Sequence, residues 1–110
     1  MNDRIFYRKL FTAPNFFNDF ADALDSVFPN GWVQFFEDGD YINDAPGTIG
    51  WRKALGIVCE KLGLEDCLKY YDDHDWMACD ELDAYIMTIL LAVVFDEDGK
   101  RIKCNKVIYK

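Results

Sequence analysis

The residues with the widest chemical reach in this 110-residue chain surround its one histidine. Asp72, Asp73 and Asp75 flank His74, while Cys67 and Cys79 stand on either side of that cluster. Cys67, His74 and Cys79 could supply three ligands of a tetrahedral zinc site, with an Asp as the fourth. Their spacing, C-x6-H-x4-C, is not that of a zinc knuckle, and a helix-to-loop connection there would need an unusual turn to close around a metal. A small metal-dependent hydrolase centred on His74 is the catalytic alternative. Such a centre needs further histidines, and the chain has none.

The other acidic clusters are weaker candidates. Asp38-Gly39-Asp40 and Asp96-Glu97-Asp98-Gly99 are short acidic turns, but neither provides the twelve-residue calcium loop with its sixth-position Gly and terminal Glu. No phosphate-binding glycine loop, dinucleotide fingerprint or nucleophile elbow occurs. Carboxylate pairs of glycosidase type are too numerous to single one out, and a domain this small rarely encloses a substrate cleft. The expectation is a non-enzymatic protein without a metal or cofactor.

Length and composition bound the class. The chain fits one domain spanning 1–110, and 51% hydrophobic residues suffice for a core without staples. Cys59, Cys67, Cys79 and Cys104 match no paired metal-binding spacing and read as reduced, mostly buried thiols. The polar start of the chain has no apolar signal segment, and the apolar run 84–95 is short of the roughly 20 residues that span a bilayer. A soluble, cytoplasmic protein is expected.

Charge is the informative feature. The net charge is −8, and it is segregated along the chain. Residues 10–51 contain seven acids and no Lys or Arg, and residues 70–99 contain nine acids and again no Lys or Arg. The bases gather at the ends, with Arg4, Arg8 and Lys9 near the start and Lys100, Arg101, Lys103, Lys106 and Lys110 near the finish. Direct contact with nucleic acid or an anionic membrane is disfavoured, because phosphates would be repelled. A basic protein partner is favoured instead.

The elements that position these groups follow from periodicity. Residues 4–11 (RIFYRKLF) alternate loosely and suggest a first strand. Phe16, Phe17, Phe20, Ala21, Leu24, Val27 and Phe28 recur at helical spacing over 14–28, with Thr12 or Asn15 available as cap. Asp19, Asp22 and Asp25 step along its other face, about 4.5 Å of rise apart. Residues 31–36 suggest a strand entering the Glu37, Asp38, Asp40 turn. A further helix begins near Thr48 or Trp51 and stops at Gly63, and a shorter one covers 64–71.

The run 84–95 is apolar at nearly every position, so its period does not separate strand from helix. Ile86, Thr88, Ile89, Val93 and Val94 favour a strand, followed by a hairpin at 96–99 and a partner strand over 100–110. As a helix it would take Asp80 as cap and Asp83 as its box partner. The expected fold is α+β: a small antiparallel sheet from the N-terminal strand, the apolar strand 84–95 and the C-terminal strand, packed by two or three helices.

A row of carboxylates on a rigid support can stand in for phosphates. The expected function is a protein-binding inhibitor or modulator, in effect a nucleic-acid mimic, acting on a basic partner that handles nucleic acid. Its size and charge are those of small anti-restriction, anti-CRISPR and toxin-immunity proteins as a class. The residues expected at the contact are Asp19, Asp22, Asp25, Glu37, Asp38, Asp40, Asp72, Asp73 and Asp75, with Trp32, Trp76, Tyr41, Tyr70 or Tyr71 as aromatic anchors. The alternative is an accessory subunit or homodimer that uses exposed aromatics.

Overall fold

The computed structural model describes residues 1–28, 45–73 and 81–104, without the side chains of 45–49, 81 and 84. Those residues form helices α1 (Asp3–Thr12), α2 (Phe16–Val27), α3 (Ala45–Leu62), α4 (Glu65–Asp72) and α5 (Glu81–Val94). Among the described residues there is no β-strand; the only pairing of that type is a single antiparallel bridge between Phe95 and Arg101. The α+β expectation is therefore corrected to a helical fold.

The first strand, expected over 4–11, is helix α1. Asn2 caps it, its side-chain oxygen accepting from Ile5 N over 2.9 Å, and Asp3 places negative charge in the first turn. Phe6, Leu10 and Phe11 then fall on one buried face, while Arg4 and Arg8 stay in water. Alternation in RIFYRKLF is loose, and the i, i+4 spacing of Phe6 and Leu10 decides the matter.

The apolar strand expected over 84–95 is helix α5 as far as Val94. Leu82, Ile86, Leu90, Val93 and Val94 are buried along one helical stripe, whereas Tyr85, Thr88 and Ala92 face outward. A central strand would need neighbours to satisfy its backbone N–H and C=O groups. The segment 4–11 is helical, so a helix that pairs its own backbone wins. Five β-branched residues cost it about 0.5 kcal/mol each at most; each fully buried core side chain contributes about 2 kcal/mol.

The hairpin turn expected at 96–99 is present. Asp96 N donates to Lys100 O over 2.9 Å and Gly99 N to Asp96 O over 3.0 Å, while Asp96 Oδ1 accepts from Asp98 N and Lys100 N. Gly99 has φ of 77°, a left-handed conformation that glycine adopts without strain. The partner strand expected beyond it is, as far as Cys104, an extended arm held by one bridge; residues 105–110 lie outside the described residues.

Helix α2 organises the core. It packs against α3, α1 and α5, and α4 contacts α3 and α1. Its Phe16, Phe17, Phe20, Ala21 and Leu24 are buried, with the Phe20 ring 4.8 Å from that of Trp51 on α3. Asn15 stands at its N-cap position in a left-handed conformation, and its side chain makes no cap bond. Thr12 Oγ1 bonds back to Arg8 O instead of capping α2. The α3 stop at Gly63 is a Schellman motif, with Leu64 N donating to Cys59 O and Gly63 N to Glu60 O. The strand and turn expected over 31–40 lie outside the described residues.

Candidate interaction surface

The acidic row of α2 exists and is already engaged within the molecule. Asp22 and Asp25 both accept from the guanidinium of Arg101, Asp22 over 2.6 Å, and Asp19 accepts from Lys61 Nζ over 3.1 Å. The second Arg101 terminal nitrogen also reaches the Asn18 carbonyl at 3.2 Å. Asp22 and Asp25 keep 68% and 52% of their side-chain surface exposed, so water and a second cation can still reach them.

Asn18 holds the arm in place beside them. Its amide nitrogen donates to Cys104 O over 3.1 Å and its oxygen accepts from Cys104 N over 2.9 Å. One side-chain amide thus satisfies both backbone groups of a residue in extended chain, as a neighbouring strand would. A groove of about 470 Å³ runs between α2 and the arm, lined by Asn15, Asn18, Asp19 and Asp22 on one side and Arg101 and Lys103 on the other.

The remaining expected contact residues separate into two groups. Asp72, at the end of α4, receives Arg52 from α3 through two bonds, Nε at 2.5 Å and one terminal nitrogen at 2.8 Å; Asp73 is exposed as the helix C-cap. The Asp72 pair holds Arg52 protonated more firmly than usual, chiefly through that hydrogen bond. Glu37, Asp38, Asp40 and Asp75 lie outside the described residues, as do Trp32, Tyr41 and Trp76. Tyr71 is fully buried and not placed to anchor a partner; Tyr70 is half-buried, its hydroxyl donating to Asp3 on α1.

A second polar cluster escaped sequence reasoning. Asp83, 6% exposed, accepts on one oxygen from Trp51 Nε1 and Tyr71 Oη, each over 2.7 Å. The cluster ties α3, α4 and α5 together inside the core. Its signal was present in register, because Asp83 lies in phase with Ile86, Leu90 and Val94 once the run is read as a helix. Asp80, the cap considered for this helix, lies outside the described residues, and the role the structure gives Asp83 is in the core. Arg101, Asn18 and Lys61 were missed for a different reason: their partners lie 76 to 86 residues away for the arm, and 42 for Lys61.

Among the described residues no three His, Cys, Asp or Glu side chains gather to hold a metal ion. His74 and Cys79 lie outside them, and Cys67 is buried on α4 against the core. Burial pushes the Cys67 thiol up to about 11 and the Cys59 thiol up to about 12, so neither forms a thiolate near neutrality. Cys59 and Cys67 are thiols, not disulfides. No helix among the described residues is long and apolar enough to cross a membrane.

The fold and surface define a class, a small helical domain with an acidic face. Compared with protein-family models, with curated proteins and with solved structures, the chain matches none.

Proposed function

We propose that this domain is a non-catalytic binding module that presents carboxylates to a basic protein partner, of the kind that handles nucleic acid, and acts on it as an inhibitor or modulator. The observation that supports this reading is the pairing of Arg101 with Asp22 and Asp25. A single helix face holds a guanidinium between two carboxylates that remain more than half exposed. A net charge of −8 raises the free energy of the compact state, and a partner's cations would relieve that repulsion. Reduced, buried thiols at Cys59 and Cys67 fit a cytoplasmic setting, where reduction is maintained.

The test is capture of partners by the tagged protein at low and high salt after nuclease treatment, repeated with Asp19→Asn, Asp22→Asn and Asp25→Asn combined. A basic protein that survives nuclease, weakens with salt and loses about tenfold or more in affinity for the triple variant supports the reading. A partner held equally by the variant and the wild type would remove α2 from the contact.

A second reading is self-association through exposed apolar side chains. Ile57 on α3, Ile5 on α1 and Tyr85 on α5 are each more than a third exposed, and Tyr85 lies 4.5 Å from Tyr7 between ring centres. It predicts a dimer in sedimentation whose stability is insensitive to salt.

A further inference from the structure

Helix α5 turns an uncharged face toward water. Positions 84–95 hold no acid or base, and Tyr85, Thr88 and Ala92 are exposed along it, with Leu91 and Phe95 half-buried beside them. The two ends of this face carry opposite charge. At its start Tyr85 packs on α1, its ring centre 4.5 Å from that of Tyr7 and 5.8 Å from that of Phe11. Arg4 and Arg8 each stand three residues before one of those rings, on the same flank of α1. Both are exposed, and neither is in an ion pair among the described residues. At the other end, about 16 Å of helix rise away, Asp96, Glu97 and Asp98 are all exposed. Glu81 and Lys100 lower the contrast by one charge at each end without reversing it.

We infer that the outer face of α5 is the contact between two copies of this chain, paired antiparallel about a two-fold axis, with Arg4 and Arg8 of each copy against the Asp96–Asp98 turn of the other. This rests on the self-association reading above and names its surface. A two-fold contact uses the same patch on both copies, so the patch must complement itself. A face that is basic at one end and acidic at the other does so when the two helices run in opposite directions, and a parallel pairing sets like charge on like. Thr88 of one copy then lies over Ala92 of the other, where short side chains let the helices approach. The apolar middle supplies the attraction and the charged ends set the direction. One helix face gives an interface below about 1,200 Å² in total, the range of weak and transient contacts, and a dissociation constant in the tens of micromolar is expected.

Sedimentation of the full chain up to several hundred micromolar tests this with five proteins: wild type, Ala92→Lys, Ile57→Lys, Arg4→Glu combined with Arg8→Glu, and Glu97→Lys combined with Asp98→Lys. Every substituted side chain is exposed, and Lys at 92 falls in the last turn of α5, where a cation suits the helix dipole, so circular dichroism should match the wild type throughout. The wild type should dimerise, Ala92→Lys should weaken the dimer about tenfold or more, and Ile57→Lys on α3 should leave it unchanged. Each charge-reversed pair alone should weaken it several-fold, because both of its ends then carry one sign. Mixing the two charge-reversed proteins should restore a dimer, one copy of each, at wild-type strength. A wild type that stays monomeric overturns both this contact and the self-association reading. A dimer that survives Ala92→Lys, or is lost with Ile57→Lys, leaves self-association standing and overturns the α5 face. A mixture no more associated than its components overturns the antiparallel pairing.

Discussion

Trp51 Nε1 donates to Asp83 Oδ1 over 2.7 Å, joining α3 to α5 within the core. Tyr71 Oη meets the same oxygen at the same distance, so one carboxylate satisfies two buried donors. Asp83→Ala leaves both donors without this acceptor and should destabilise the fold by about 2–6 kcal/mol, at about 1–3 kcal/mol for each donor. Asp83→Asn keeps an acceptor oxygen and should cost less. Urea denaturation of the two variants checks this; equal losses would show that the acceptor is not what matters.

Gly50 on α3 sits beneath the Phe28 ring. A Cβ at Gly50 would come within 2.9 Å of Phe28 Cε1 and closer still to Cζ. Gly50→Ala should therefore destabilise by about 1–3 kcal/mol through overpacking, despite the helix preference for Ala. With Phe28→Ala in the background the sign should reverse, and Gly50→Ala should stabilise by up to about 1 kcal/mol. The double-mutant cycle, read from thermal or denaturant unfolding, tests the contact directly.

The cysteines should react in a set order. Cys59 and Cys67 are buried with thiols raised to about 12 and about 11, whereas Cys104 is partly exposed on the arm. Iodoacetamide at pH 8 should label Cys104 first among these three, and Cys59 and Cys67 only on unfolding, as mass spectrometry of digested protein would show. The raised thiols also carry a pH sign. Between the ordinary value of 9.0 and these folded values the unfolded chain has lost protons that the native state keeps, so stability falls as pH rises through that window.

The pair between Lys9 on α1 and Asp66 on α4 acts at the other end of the scale. Lys9 lowers the Asp66 carboxyl chiefly through their hydrogen bond, and Asp66 raises Lys9 in return. For Asp66 the contribution is present above the ordinary carboxyl value of 3.8 and is lost as pH falls through the depressed folded value. For Lys9 it is present below 10.5 and is lost as pH rises through the raised one. Lys9→Met should flatten the acid limb of a stability profile measured by urea unfolding from pH 2 to 5, and an unchanged limb would remove Asp66 from the account.

The sequence by itself determined the helices whose apolar residues recur with a helical period against polar neighbours. Phe16 to Val27, the stretch from Trp51 to Leu62, the Gly63 stop and the short α4 were all legible, because each carries its own face pattern or terminator. The 96–99 turn was legible as well, since Asp96 and Gly99 form it from local hydrogen bonds.

Only the tertiary structure decided residues 4–11 and 84–95. One alternates too loosely, and the other is apolar on every side, so each suited a strand until it became clear which neighbours were present to pair with it. Charge was undecided in the same way. The basic ends and acidic middle are segregated along the chain, but Arg101 folds onto Asp22 and Asp25, Lys9 onto Asp66, and Arg52 onto Asp72. Local pattern is carried by residues a few positions apart; these ion pairs join residues 20 to 79 apart, and only the folded chain brings them together.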